Sequence, residues 1–198
     1  MGLIFDFIEG QTPIDEDEKA GLKIKTVATL GELDEFEQRN IEAALVWVFR
    51  SRFSVDKVLN EVFIKNLHKR MFGDVWIWAG SFRKSNKNIG VEWERISVEL
   101  RKLLDDAKYW NANKTFSSDE FILRLKHRLV SIHCFPNGNG RHARIYADLL
   151  NERIFKKPPF SWQMQKMNRP NEVRSAYIKS LKKADQGNFE ALIAFARG

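Results

Sequence analysis

Between Ile132 and Arg144 the chain places His133, then Gly138 and Gly140, then Arg141 and Arg144. Glycines at 138 and 140 permit backbone angles that other residues resist, so successive N–H groups there can converge on an anion. A helix starting just after them adds the positive end of its dipole. Arg141 and Arg144, three residues apart on the first turns of such a helix, share roughly one face and can grip phosphate oxygens in bidentate fashion. His133, at the end of the preceding helix, can sit over this cradle and take up a proton near neutral pH. The chemistry that fits is the holding of a di- or triphosphate and the activation of a hydroxyl for attack on phosphorus.

Each of these features alone has a plainer explanation. A glycine-rich turn between helices is usually a turn, a lone His on a buried helix usually belongs to the core, and an Arg pair is usually a solvated face. Their joint occurrence within one short stretch is what carries the reading. Cys134 adjoins His133, but sequence neighbours on a helix do not face each other, which argues against a Cys–His nucleophile. His127, His133 and His142 lack the partners and spacing of a zinc site, and His142 is expected on the solvent face of the new helix.

The elements that must position this loop are mainly helical. Leu33, Phe36, Leu45, Val48 and Phe49 recur near a 3.6-residue period, and Val55, Leu59, Val62, Phe63, Leu67 and Met71 form a second stripe. Trp76 and Trp78 suit a short extended segment or a tight corner. From Arg83 to Ile96, Asn and Gly punctuate short β-prone runs, and a small hairpin is expected. Helical periodicity resumes from about Ser97 to Tyr109, with a loop over Asn111 to Thr115. Ser117 and Glu120 have capping-box spacing before the apolar Ile122, Leu125, Leu129 and Ile132. Pro136 must end that helix, and a new one is expected from about Arg141, carrying Ile145, Leu149 and Leu150 inward. Two more helices, broken near Gly187, fill Arg174 to Arg197. Residues 1–30 show no sustained period and read as an extended arm on the surface, leaving residues 31–198 as one domain.

Composition sets bounds on this reading. The 198 residues, 43% hydrophobic, suffice for one ordinary globular core. A formal net charge of +7 suits an acidic partner, yet the basic residues are scattered and no nucleic-acid-binding pattern accompanies them, so nucleic acid is not expected. The single cysteine, Cys134, excludes an intramolecular disulfide and a Cys-rich zinc site. No leader, myristoylation signal or membrane span is visible, and a cytoplasmic location is the expectation.

The loop resembles the motif of the Fic (Fic/Doc) family, His-x-Phe-x-(Asp/Glu)-Gly-Asn-Gly-Arg-x-x-Arg. His133, Phe135, Gly138, Asn139, Gly140, Arg141 and Arg144 supply it, and only Asn137 departs, standing where the family has an acid. Leu67-His68 through Arg83 is similar to the family's approach to its target-binding flap, and Tyr177 to Phe189 is similar to its closing helices. The stretch Thr29 to Ile41, with His133 to Asn137, further resembles the bacterial subgroup called mobile mystery protein B.

The resemblance implies a Fic-type helical bundle with a small β-hairpin flap and an enzyme that transfers AMP from ATP to a Ser, Thr or Tyr hydroxyl of a target protein. His133 would be the general base and Phe135 a structural anchor. Gly138, Asn139 and Gly140 would cradle the α- and β-phosphates, and Arg141 and Arg144 would hold the outer ones. The segment Arg83, Lys84, Ser85, Asn86, Lys87, Asn88, Ile89 and Gly90 would be the flap on which an extended target segment docks. Mg²⁺ is implied, with Asn137 a weakened ligand because an amide carbonyl brings no charge. The family's restraining pattern, (Ser/Thr)-x-x-x-Glu-(Gly/Asn), is approached only at Thr12 to Asp17, which fails at its last position. Restraint by a small antitoxin-like partner, or none, follows. The competing readings are a kinase-like relative with reversed nucleotide, whose loop departs at the Gly-Asn-Gly intact here, and a nucleotide-binding module without transfer, which would have no use for His133.

Overall fold

The structure, a computed structural model, describes residues 16–163 and 170–198. After the short helix α1 (Glu16–Lys19) come α2 (Leu30–Arg50), α3 (Val55–Val58), α4 (Glu61–Phe72), α5 (Ile96–Asn113), α6 (Ser118–Ile132), α7 (Asn139–Leu149), α8 (Pro170–Asp185) and α9 (Glu190–Arg197). A π-helical turn, Leu150–Ile154, follows α7 directly.

Local chemistry explains most of the boundaries. Thr29 caps α2 through a full capping box with Glu32. The apolar stripe from Val55 to Met71, expected as one helix, is two, because Asn60 turns extended and its side chain accepts from the Val62 N–H at 2.8 Å. Val62 and Phe49, expected in the core, are exposed. Ser117 caps α6 by accepting from the Glu120 N–H, while the Glu120 carboxylate turns to Arg124 instead of completing the box. α5 runs to Asn113, where Lys114 closes it in the left-handed region.

α6 lies at the centre, packed against α5, α7 and α9, while α2 packs on α4 and α4 reaches α7. Leu67, Met71, Leu100, Ile122, Leu125, Ile132, Phe135 and Tyr146 are fully enclosed between them. Each such side chain contributes roughly 2 kcal/mol by leaving water. Of the stretch expected as a surface arm, residues 1–15 lie outside the described residues. The remainder is docked: Leu22 bridges Trp76, the Lys23 N–H bonds the Val75 carbonyl at 2.8 Å, and Val27 is buried.

The expected β-hairpin does not form. Among the described residues there is no named strand, only the isolated Leu22–Trp76 bridge. Residues 83–91 are an irregular loop whose main-chain groups bond elsewhere: Arg83 N–H to the Cys134 carbonyl at 3.0 Å, and Val91 N–H to the Ile132 carbonyl at 3.4 Å. The main chain at the two ends of the loop is therefore paired to the end of α6 and not to each other.

Candidate active site

His133 is the C-cap of α6, in the left-handed region with φ 56° and ψ 60°, and its N–H still bonds the Leu129 carbonyl at 3.3 Å. A non-glycine residue there costs about 1 kcal/mol or more, which directs attention to what holds it. Six residues later, at Asn139, α7 begins, capped by Gly138 at φ 75°. The turn between them is closed by Asn139, whose Oδ1 accepts the Phe135 N–H at 2.9 Å and whose Nδ2 donates to the Phe135 carbonyl at 2.7 Å. Both ends of that amide are thus engaged within the loop.

Phe135, expected as a structural anchor, sits in the core. It is fully buried, stacked on His68 with ring centroids 3.8 Å apart, and edge-on to His142 at 5.2 Å. His68 Nδ1 accepts the Gly80 N–H at 3.0 Å, so its Nε2 is the donor, here to the Asn137 carbonyl at 3.0 Å. The tautomer is fixed by its two neighbours, and burial drives the ring well below the usual histidine range, helped by His142.

The expectation that His142 faces solvent is overturned. It is buried between Phe135 and Tyr146, its Nε2 meets the Ile64 carbonyl at 3.1 Å, and burial lowers its pKa to about 4. The helix turns its 142, 143, 146 and 147 positions inward.

The two glycines differ. A Cβ on Gly138 would lie 2.6 Å from the Phe72 ring, so packing and φ together demand glycine there. A Cβ on Gly140 would meet nothing within 4 Å. That open space lies at the N-terminal turn of α7, where the first N–H groups of a helix have no partner within it.

The arginines diverge from the mouth of α7. Arg141 pairs with Glu37 of α2 at 2.5 Å, and Glu37 also accepts the Trp76 Nε1–H at 2.6 Å. Arg144 turns to the other side, over the rings of Trp162 and Tyr177 at 5.5 and 5.7 Å. Beside it Lys126 is enclosed, hydrogen-bonded to the Tyr177 hydroxyl, and burial lowers its pKa to about 7 with Arg144 adding to the effect. Glu37, Lys126 and Tyr177 were given no site role from the sequence, because their relation to the loop spans long stretches of chain.

His133 is itself mostly enclosed, 4% exposed, and its pKa falls to about 4. Burial is the main cause and the positive charges of Arg83 and Lys87 add to it, while a hydrogen bond to the Val130 carbonyl opposes them. The imidazole is therefore neutral at physiological pH, the state a proton acceptor needs.

The loop 83–91 lies against this histidine. A Cβ on Gly90 would stand 2.7 Å from the His133 Cβ. Lys87 is almost enclosed and paired with Glu18 at 2.6 Å, and Arg83 is buried under the loop. These two are not displayed for docking, whereas Ile89 is exposed. Asn86 is tied to Glu92 and accepts the Trp93 N–H at 2.9 Å. Lys84, Ser85 and Asn88 complete the irregular loop.

Asn137 is on the loop with its Oδ1 on the Gly138 N–H at 2.6 Å. Among the described residues no group of three or more His, Cys, Asp or Glu side chains is placed to hold a metal ion. No helix among them is long and apolar enough to cross a membrane.

The site thus joins a histidine-capped helix, a bracketed glycine turn and two arginines at a helix mouth. A Fic/DOC family model matches residues 58–150, and over that stretch the chain is similar to the family. The protein adenylyltransferase Fic of Drosophila virilis is 28% identical over 137 residues, 67% of this chain. The chain spans about a quarter, 26%, of that relative's length. Among solved structures, Fic-1 (residues 134–508) of C. elegans superposes with a TM-score of 0.67 at 24% identity, covering 90% of this chain and 51% of that one. The BepC effector protein of Bartonella tribocorum with bound AMPPNP gives 0.66 at 16% identity, covering 92% and 97%.

Proposed function

We propose that this chain is a protein adenylyltransferase that moves AMP from ATP onto a Ser, Thr or Tyr hydroxyl of a target protein. The observation that carries the reading is the neutral, left-handed His133 joined by the Asn139-bracketed turn to the open space at Gly140. The named activity of the Drosophila relative and the ATP analogue held by BepC support it.

In this mechanism the N-terminal turn of α7 receives the phosphates, and Arg141 and Arg144 close on the outer ones from opposite sides. The target hydroxyl, brought across loop 83–91, gives its proton to His133 as its oxygen attacks the α-phosphorus in line. The bond from α-phosphorus to the bridging oxygen breaks and pyrophosphate leaves. The ring is neutral at working pH, so one of its nitrogens would serve as the acceptor. Catalysis is positioning plus charge stabilisation. Mg²⁺ carried on the phosphates would neutralise charge there, with the Asn137 side-chain oxygen as a neutral donor from the loop. A small restraining partner remains part of the proposal, tested by whether the purified chain labels proteins unaided.

The deciding experiment is labelling of a lysate by the purified chain with ATP radiolabelled at either the α- or the γ-phosphate, with His133→Ala alongside. Label from α only, lost in the variant, is the expected result. Label from γ only would replace the reading with a kinase-like one, and ATP binding without label, in the presence and absence of candidate partners, would leave a binding module.

A further inference from the structure

One buried side chain gathers both ends of the docking loop. Arg83, 2% exposed, donates from Nε to the His133 carbonyl at 2.7 Å and from Nη1 to the Ser85 carbonyl at 2.7 Å. Its Nη2 donates to the Val91 carbonyl and, at 3.5 Å, reaches the Ile132 carbonyl. The main chain runs parallel to these bonds through Arg83 N–H to Cys134 and Val91 N–H to Ile132.

The last carbonyls of a helix have no partner within it and carry the negative end of its dipole, so a guanidinium there is favourable. Its fixed fork of donors reaches several carbonyls at once, which a lysine ammonium on a flexible stem cannot reproduce. Among the carbonyls it holds is that of His133, the residue whose left-handed backbone needs support from its surroundings. Gly90 closes the arrangement, since a Cβ there would strike both His133 and the Arg83 guanidinium.

We propose that Arg83 is a positioning residue that makes the docking loop and His133 one mechanical unit, so that seating a target segment on residues 83–91 sets the aim of the imidazole. This rests on the transfer reading of the site. The charged groups around the pair are Lys87 beside His133, with Glu18 and Glu92 beside Arg83.

The test uses the intact chain with Arg83→Lys, and with Arg83→Ala in the presence and absence of guanidinium ion. Side-chain NMR of the histidines, with the His133 signal assigned through His133→Gln, is recorded beside steady-state kinetics. In Arg83→Lys the His133 signals should shift while those of His68 and His142 hold. Its kcat should fall roughly tenfold to a hundredfold, the cost of misplacing a reacting group by about 1 Å, with the nucleotide KM unchanged. Guanidinium should recover part of the Ala variant's kcat. Should the Ala variant not fold, the Lys variant decides alone. Parent-like His133 signals and kcat in Arg83→Lys would overturn the proposal, as would a change confined to nucleotide affinity. If the parent itself transfers no nucleotide, the transfer reading falls, while the His133 signals still decide whether Arg83 positions that residue.

Discussion

Gly90 and His133 meet with no room for a side chain between them: a Cβ at position 90 would lie 2.7 Å from the Cβ of His133. Because Gly90 also has φ 108°, the loop can approach the histidine only with glycine here. Gly90→Ala should therefore lift the loop or turn the imidazole, lowering kcat about tenfold or more while thermal unfolding of the helical body changes little. Circular dichroism melts with transfer assays check this, and an unaltered kcat would refute the tight approach.

The two loop glycines should separate fold from ligand. Gly138→Ala must push against Phe72 at a left-handed position and should destabilise the chain by roughly 1–3 kcal/mol. Gly140→Ala enters open space within a helix and should leave stability equal or raise it by up to about 1 kcal/mol, yet weaken ATP binding tenfold or more. Calorimetric titration of both variants reads the contrast. Equal loss of stability in the two would mean that the space at Gly140 has been misread.

On the proposed mechanism, His133 governs the pH profile. Its folded pKa of about 4 means that the neutral base is already the main species above that value. The kcat/KM should hold level from about pH 8 down to about pH 5.5, without the fall near 6.5 that an unperturbed histidine gives. A half-maximal point near 6.5 would show that the imidazole is more solvated than its burial requires.

His142 makes stability fall in acid. Its folded pKa of about 4 lies below the unfolded value of 6.5, so between those values the unfolded chain binds more protons. Stability therefore decreases as pH drops from 6.5 to about 4 and levels off below, by roughly 3 kcal/mol for a shift of this size. His142→Gln keeps a donor for the Ile64 carbonyl and should flatten that slope in urea titrations. Identical slopes in parent and variant would assign the acid sensitivity elsewhere.

Asn137→Asp should sharpen dependence on Mg²⁺. One carboxylate oxygen can keep the Gly138 N–H, bonded to Asn137 at 2.6 Å, while the second offers charge to a cation on the phosphates. Half-saturation by Mg²⁺ should move several-fold lower in the variant, read in transfer or nucleotide-binding titrations. Coincident curves would remove Asn137 from the metal's surroundings.

The helices and the loop were legible in sequence because their signals are local. Ser117, Pro136 and the glycines act within a turn of themselves, and the α6 stripe of Ile122, Leu125, Leu129 and Ile132 is buried as its period implies. The loop 83–91 was misread because Ile89, Gly90 and Val91 carry β-prone texture, while the partners that decide their hydrogen bonds, Ile132 and Cys134, lie some forty residues on. Arg83 was read only as one residue of the docking segment, because the carbonyls its side chain serves lie mostly far along the chain. His142 was assigned to solvent by residue type, although positions 142, 143, 146 and 147 form an inward stripe by spacing alone. The Glu37–Arg141 pair joins α2 to α7 across most of the domain, and no local rule connects them.

The amide of Asn139 closes the turn on Phe135 with both its oxygen and its nitrogen. On the proposed reading the chain itself fixes the receiving turn, and arrival of a triphosphate would leave little backbone freedom to be lost. Nucleotides of different bases should then share nearly the same phosphate contribution to affinity, so discrimination among them must come from groups outside the turn.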